Sequence, residues 1–451
     1  MRALLPVLVS AITPFFILTL IVVSVGFGLV AWRPPTMWVA TIAAPSMGSG
    51  ITALANGSDG LYASGVVGPY GASPGYLFIA KYDAGGGQIW SKTFGIAFAS
   101  IVNAISAAQD GLYITGESGP SPSVLKYDLN GNQIWNDSFG GFGGRPTSLY
   151  ATSNGIYVGG YIPEGGLGNS TFGGFLRHYD SNGNLVWTKL LENSTTGPLF
   201  LYVNSDGVFV SGSNSEASSG ARSAFVRKYD TQNNLAWNQT FICDCASTGM
   251  SGDSTGVYTV GQARGPLPGQ VWSGSTDTFI RKYDFNGNSI WTMQFGPPDY
   301  TTSISPQISA VQSGVYLTVD TGGPNGFLMK YDSNGVQEWS VQIQKLVARI
   351  ELASFSTVLS AGSAAVYIGS SYHDGNLFVA AISVVSSLVI FGINPPASFL
   401  VIGSLVTAAV VSVLLFRRER RSASRSGSLT VKRRAGNLPT DALTPRRTVL
   451  E

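Results

Sequence analysis

One short motif recurs six times along this chain at intervals of 45 to 54 residues. Each copy ends a run of alternating apolar residues with Tyr-Asp, and a tryptophan follows seven residues after the aspartate. The six copies pair Tyr82 with Trp90, Tyr127 with Trp135, Tyr179 with Trp187, Tyr229 with Trp237, Tyr283 with Trp291, and Tyr331 with Trp339. A copied unit of this length predicts a radial or stacked repeat fold.

Every repeat carries the pattern of four short strands. A Gly-aliphatic-aromatic run such as Gly256-Val257-Tyr258 precedes the alternating run, and a weaker apolar run precedes both. Asn-Gly, as in Asn286-Gly287, favours a tight hairpin before the tryptophan strand because glycine accepts positive φ. Four antiparallel strands without a helix predict one blade of a β-propeller.

The seventh blade is divided between the two ends of the repeat region. Gly-aromatic and apolar strands recur at 365–369 and 377–382, but no tryptophan strand follows them. The missing strand is found at 37–42, where Trp38 has the spacing of Trp90. We therefore predict an all-β, seven-bladed β-propeller closed by an N-terminal strand, which leaves no open sheet edge. Eight blades are the alternative, if a degenerate copy lies in the Gly- and Ser-rich stretches.

Through its Lys-Tyr-Asp, Asn-Gly-Asn and Trp motifs, the region 36–384 resembles the seven-bladed β-propeller repeat family of bacterial and archaeal surface proteins. The resemblance implies the ring fold and adds little chemistry, since most of that family has no assigned function. The blade motif is also similar to that of quinoprotein dehydrogenases. Their vicinal cysteine pair is not found here.

Two long apolar segments flank the repeats. Residues 397–416 carry no charge and are long enough to cross a bilayer as a transmembrane helix, and the arginine cluster that follows favours a cytoplasmic tail. The apolar segment within 1–33 is either an uncleaved transmembrane anchor or a signal peptide. The predicted domains are the N-terminal segment, an extracytoplasmic propeller, a linker, a transmembrane helix and a basic tail, at 1–33, 34–385, 386–396, 397–416 and 417–451.

This arrangement predicts a protein of the cell membrane with its propeller outside the cytoplasm. Five sequons are then candidates for glycosylation: Asn56, Asn136, Asn169, Asn193 and Asn238. The repeat region 36–383 holds 15 basic and 22 acidic residues, and it lacks the basic, aromatic-rich patches that suit nucleic acid.

Few residues suit catalysis or metal binding. Cys243 and Cys245 are predicted to form a disulfide outside the cytoplasm, with two partly buried thiols as the alternative. The two histidines, His178 and His373, lie in different repeats, which disfavours a metal site and a Ser-His-Asp hydrolase. The repeated aspartates lack the downstream glutamate of a calcium loop, so capping of the hairpins is the preferred interpretation. No cofactor is predicted.

Loop lengths indicate which face of the ring binds a partner. Both apolar segments should leave the ring on the face of the Asn-Gly hairpins, because strands alternate in direction. The opposite face carries the longest loops, at 164–173, 214–222 and 263–276. Arg264, Trp272 and Tyr300 are the predicted binding residues there, because exposed aromatics and arginine are typical of contact sites. Phe142 reaches the same face, where packing over the channel is the favoured interpretation.

These observations predict a membrane-anchored, cell-surface propeller that binds or scaffolds a protein or a glycan. An extracytoplasmic enzyme with its site at the mouth of the ring channel is one alternative, and a structural component of the envelope is another. A non-enzymatic role is preferred because no catalytic set of residues is recognised.

Overall fold

The chain folds as an all-β, seven-bladed propeller in the part that the structure, a computed structural model, describes. Residues 36–383 are described except for 43–49, 68–75, 96–100, 119–120, 140–143, 164–171, 196, 216–221, 275, 297–303, 321–325, 344–351, 362–364 and 373–376. The predicted N-terminal segment, transmembrane helix and basic tail lie outside these residues. Among the described residues, no helix has both the length and the apolar character of a membrane span.

Six blades consist of four strands that follow one another in the chain, and the seventh combines both ends of the ring. Blades 1 to 3 are formed by β2 (Gly50–Gly57), β3 (Gly60–Val67), β4 (Tyr76–Tyr82) and β5 (Gln88–Gly95); β6 (Ile101–Ala108), β7 (Gly111–Ser118), β8 (Ser121–Tyr127) and β9 (Gln133–Ser138); and β10 (Arg145–Thr152), β11 (Gly155–Pro163), β12 (Phe172–Tyr179) and β13 (Leu185–Thr195). Blades 4 to 6 are formed by β14 (Phe200–Asn204), β15 (Gly207–Ser215), β16 (Arg222–Tyr229) and β17 (Leu235–Ile242); β18 (Cys245–Asp253), β19 (Gly256–Ala263), β20 (Asp277–Tyr283) and β21 (Ser289–Phe295); and β22 (Ile304–Val311), β23 (Gly314–Asp320), β24 (Phe327–Tyr331) and β25 (Gln337–Gln342). Blade 7 is formed by β26 (Leu352–Ala361), β27 (Ala365–Tyr372), β28 (Leu377–Ser383) and β1 (Thr36–Ile42).

The hydrophobic core lies between neighbouring blades. The first strands of adjacent blades pack against one another and are therefore innermost. In the second and third strands of the blades, apolar side chains on both faces are buried, because each sheet is covered on both sides by its neighbours. Tyr62 and Leu112, for example, belong to one buried cluster shared by blades 1 and 2.

Blade 7 confirms the predicted closure of the ring. Strand β1 pairs antiparallel with β28 over six residue pairs, from Thr36 opposite Ile382 to Ile42 opposite Leu377. The blade is therefore a complete four-stranded sheet in which β1 takes the place of the outer strand. The two ends of the ring lie side by side as a consequence.

Five of the repeated tryptophans join a blade to the next one through the same contact. Trp38, Trp90, Trp135, Trp237 and Trp291 each donate the indole N–H to a carbonyl in the following blade's hairpin, at 3.0, 3.2, 3.4, 3.1 and 3.1 Å. Each ring also packs on the positive-φ glycine of that hairpin, namely Gly86, Gly131, Gly183, Gly287 or Gly335. A Cβ atom at these glycines would come within 2.4 to 3.0 Å of the indole. Glycine is therefore required both for the turn and for the close approach of the tryptophan.

The contact between Trp237 and Gly287 can be tested against a glycine of similar conformation. Gly287→Ala should lower the free energy of unfolding by about 2 to 4 kcal/mol, because it combines backbone strain with an overpacked contact. Gly269 also has positive φ, 75° against 88°, but an added Cβ there meets no atom within 4 Å. Gly269→Ala should therefore cost only about 1 kcal/mol, the backbone term. Guanidinium denaturation of both variants measures the difference, and equal midpoints would contradict the role of the tryptophan contact.

Candidate binding face

The ring has two unlike faces. The first-to-second and third-to-fourth turns of every blade lie on one face, which we call the hairpin face, and the other connections lie on the opposite, long-loop face. Because Thr36 opposes Ile382, both ends of the ring lie on the hairpin face. Of the three longest predicted loops, 263–276 joins β19 to β20 on the long-loop face, and most of the other two, 164–173 and 214–222, falls outside the described residues.

The described long loop, between β19 and β20, folds onto the turn that contains the two cysteines. The main-chain N–H of Arg264 donates to the Asp244 carbonyl at 2.8 Å. Leu267 is 1% exposed and packs in one cluster with Cys243, Cys245 and Phe279. A single buried leucine therefore fixes the loop of blade 5 against the connection from blade 4.

Gln294, on the outer strand β21, holds this loop in place. Its side-chain oxygen accepts the Leu267 N–H at 2.8 Å, and its amide donates to the Gly265 carbonyl at 3.1 Å and to the Asp277 carboxylate at 2.9 Å. Asp277, which is fully buried, also accepts hydrogen bonds from the main-chain N–H and the hydroxyl of Ser273. The loop is thus bonded to strands at both of its ends.

The rigid loop presents apolar side chains to solvent. Val271 is 85% exposed and Trp272 is 40% exposed, and Ile242, which precedes the cysteine turn, is 83% exposed. Arg264 is exposed on the same loop. We call these four residues the loop patch. Of the residues predicted for this face, Arg264 and Trp272 lie on this loop, and Tyr300 and Phe142 fall outside the described residues. Their role in binding stays a prediction.

The cysteines and sequons have defined surroundings. Cys243 and Cys245 are linked in the structure as a disulfide pair with a Cα–Cα distance of 5.0 Å, and both are buried. Asn56, Asn136 and Asn238 are exposed. Asn193 lies in β13, and Asn169 falls outside the described residues. Glycosylation of the sequons stays a prediction.

The repeated aspartates cap the hairpins. One carboxylate oxygen of Asp128 accepts the N–H groups of Asn130 and Asn132 at 2.9 and 2.7 Å, and the other accepts the Asn132 side-chain amide at 2.8 Å. Backbone hydrogen bonding from Asn132 lowers the pKa of Asp128 below its usual value. The main-chain bonds recur at Asp83, Asp180, Asp230, Asp284 and Asp332. In the part of the chain that is described, no three His, Cys, Asp or Glu side chains are grouped to hold a metal ion.

The lysines of the Lys-Tyr-Asp motif have a function that the sequence analysis missed. The Lys126 ammonium lies 5.0 Å from the centre of the Tyr113 ring, forms an ion pair with Asp110 at 2.6 Å, and donates to the Ser181 carbonyl of the next blade at 2.9 Å. Lys81, Lys228, Lys282 and Lys330 lie over the equivalent ring in their own blades. The recurrence of lysine next to the tyrosine could have predicted this role. A buried ammonium group needs an aromatic ring, an acid or a carbonyl near it, and a repeated buried lysine indicates that such partners are repeated too.

Comparison with known proteins does not assign the chain to a family. No known family model and no curated protein matches the chain. The similar solved structures include acylaminoacyl peptidase from Pyrococcus horikoshii, in an orthorhombic form (TM-score 0.44, 8% identity, 72% of this chain) and uncomplexed (TM-score 0.45, 9% identity, 74% of this chain). These matches span 49% and 52% of the peptidase, about half its length. A chain in a solved complex of S. cerevisiae Dbp5 is also similar (TM-score 0.42, 10% identity, 78% of this chain and 96% of that one). At these values the similarities carry no argument about function.

Removal of the Gln294 side chain should loosen the loop and leave the ring intact. Gln294→Ala deletes three hydrogen bonds to the loop and its base, so trypsin should cleave after Arg264 several times faster than in the unaltered protein. Limited proteolysis with mass spectrometry measures the rate. Gln239→Ala, at an exposed position on the outer strand of blade 4, is the matched control. Unchanged cleavage in Gln294→Ala would show that the leucine contact alone fixes the loop.

Proposed function

We propose that this chain is a membrane-anchored propeller, held outside the cytoplasm, that binds or scaffolds a cell-surface protein or glycan through its long-loop face. The observation that carries the proposal is the loop patch. Its apolar side chains are exposed on a loop whose backbone is fixed by Gln294 and Leu267. A fixed loop loses little conformational entropy on binding, which favours its use as a contact surface.

The position of the chain ends supports the orientation. Thr36 and Ile382 are paired on the hairpin face, so both described ends of the ring lie on the face opposite the loop patch. We therefore propose that the hairpin face is directed toward the membrane and the loop patch away from it. The arginine cluster at 417–421 supports a cytoplasmic tail, because positive charge after a span is retained on that side.

The composition of the loop patch suits a contact with few strong anchors. Tryptophan and arginine are both enriched at binding hot spots, and the exposed Ile242 and Val271 add apolar surface that excludes water on binding. An ectodomain with more acidic than basic residues does not favour nucleic acid as the partner.

The orientation is tested by cysteine labelling in intact cells. A cysteine introduced at Ser215, beside a long loop, should react with a membrane-impermeant maleimide, whereas one at Ser428 in the tail should react only after the cells are permeabilised. Both variants are made in a background without Cys243 and Cys245, so that the new thiol is the only target. If only Ser428→Cys were labelled in intact cells, the proposed topology would be contradicted.

The loop patch is tested by capture of a partner. The propeller, residues 34–384, is screened against envelope extracts and a glycan array. For the partner so found, Trp272→Ala with Arg264→Ala should weaken binding by about 30-fold or more, equivalent to about 2 kcal/mol. Ile134→Ala is the control, because Ile134 is 54% exposed but lies in blade 2, in the strand that follows a hairpin. If the double variant bound the partner normally and hairpin-face variants lost binding, the contact would lie on the hairpin face and the proposed binding face would be wrong.

A further inference from the structure

The contact between blades 3 and 4 departs from the repeat at the motif lysine and at the hairpin glycine. His178 stands where the other copies of the motif have lysine. Asn154 stands where blades 1 and 2 have the acid that pairs with the lysine, a position that is Thr255 in blade 5 and Ser313 in blade 6. In the hairpin of blade 4, Asn233 occupies the position of the hairpin glycine. Its φ is 66°, and among the described residues it is the one residue other than glycine that has a positive φ.

At this contact Trp187 lacks the hairpin hydrogen bond of the other tryptophans. In the other hairpins an added Cβ would come within 3.0 Å of the tryptophan, so the Cβ of Asn233 prevents the same approach. Among the described residues, the Trp187 indole N–H donates to no hairpin carbonyl, whereas five equivalent tryptophans do. Trp187 still packs against the buried cluster that blades 3 and 4 share, but the space beside the hairpin lacks both that bond and the motif lysine.

A cavity of about 360 Å³ lies in this space. Trp187 and Tyr157 form its apolar wall in blade 3, and Asp230 and Thr231 border it in blade 4. The rest of the lining consists of two neighbouring turns, 152–154 and 203–208, which contribute asparagine, serine and threonine side chains. Its size lies within the usual range of small-molecule sites, about 300 to 1,000 Å³.

His178 lies behind the apolar wall of the cavity. Its ring is stacked on Tyr157 at 4.3 Å and lies 5.6 Å from Trp187, and both of these residues line the cavity. Burial lowers the pKa of His178, which favours the uncharged imidazole. The wall therefore carries no positive charge of the kind that the motif lysine brings to the other blades.

The lining disfavours anions and offers a cation one carboxylate that is already hydrogen-bonded. No lysine or arginine lines the cavity among the described residues, so an anion would meet the Asp230 carboxylate and no compensating charge. That carboxylate accepts three hydrogen bonds, from the Gln232 and Asn234 main chain and the Asn234 side chain. Asn154 replaces the acid that pairs with the lysine in blade 2, so an ammonium group at the lysine position would lack that partner.

We propose that this cavity binds a neutral sugar. One pyranose ring packs its C–H face on Trp187, and its hydroxyl groups bond to the amides of Asn154 and Asn204 and to the serine and threonine hydroxyls of the two turns, which both donate and accept. The site is on the hairpin face and does not depend on the proposed function of the long-loop face.

The first test is calorimetric titration of the full chain with methyl pyranosides of glucose, galactose, mannose, fucose and N-acetylglucosamine. At least one should bind with a dissociation constant at or below about 1 mM. n-Butylammonium and glucuronate are the charged comparators, and neither should bind. Absence of binding by every glycoside, or binding by a charged comparator alone, would overturn the proposal.

The second test restores the repeat. The variant His178→Lys, Asn154→Asp, Asn233→Gly should close the cavity, lose at least 10-fold in glycoside affinity, and melt at the same or a higher temperature. Asn334→Gly is the matched control, since it makes the same kind of change in an exposed hairpin position of blade 6 and should bind normally. Trp187→Ala, which removes the packing surface, should lose affinity to a similar degree if the triple variant does not fold. Unaltered affinity in a folded triple variant, or in Trp187→Ala, overturns the site.

The sugar has two possible sources, a free saccharide or the headgroup of a lipid. Titration with the methyl glycoside and with the matching dodecyl glycoside in phosphatidylcholine vesicles distinguishes them, because tighter binding of the vesicle form indicates a lipid-borne sugar and equal affinity indicates a free one. The triple variant must lose both. Vesicle binding that survives in the triple variant counts against the cavity.

Discussion

The ring depends on the contact between a tryptophan of one blade and a hairpin of the next. A blade by itself is a four-stranded sheet with both faces apolar, and it is stable only when neighbours cover both faces. Five of the seven indoles fix the angle between two blades by packing on a glycine and donating to a main-chain carbonyl, as Trp237 does with Gly287 and Phe285. Because the same contact recurs, errors in blade spacing do not accumulate around the ring.

Strand content, blade number and ring closure could be predicted because they follow from residue types at fixed spacing. Trp38 identified β1 as the missing strand of blade 7 since a tryptophan at that spacing is improbable elsewhere. The loop contacts could not be predicted in this way. Gln294 bonds to residues about 27 positions away through a loop of no repeated pattern, and the burial of Leu267 under the cysteine turn depends on two connections folding together.

Repetition also provides an internal reference for function. At each inter-blade contact the same lysine, acid and glycine positions can be compared, so a change that would be unremarkable in a unique fold becomes informative. His178, Asn154 and Asn233 are far apart in sequence, yet all three alter one contact. The motif lysine and the hairpin glycine are both replaced at this single contact, which indicates that close packing of the hairpin was not required there. Residues at the other contacts retain the structural role.

The pairing of the two ends of the ring has a mechanical consequence. Tension that draws the two ends apart would act first on the pair Thr36 and Ile382, and would then open the β1–β28 ladder one residue pair at a time. Peeling of this kind needs less force than sliding two strands past each other, because the hydrogen bonds break in succession. Two ends anchored close together would carry no such tension, so the spacing of the anchors, as much as the ladder itself, would determine how well the ring resists force.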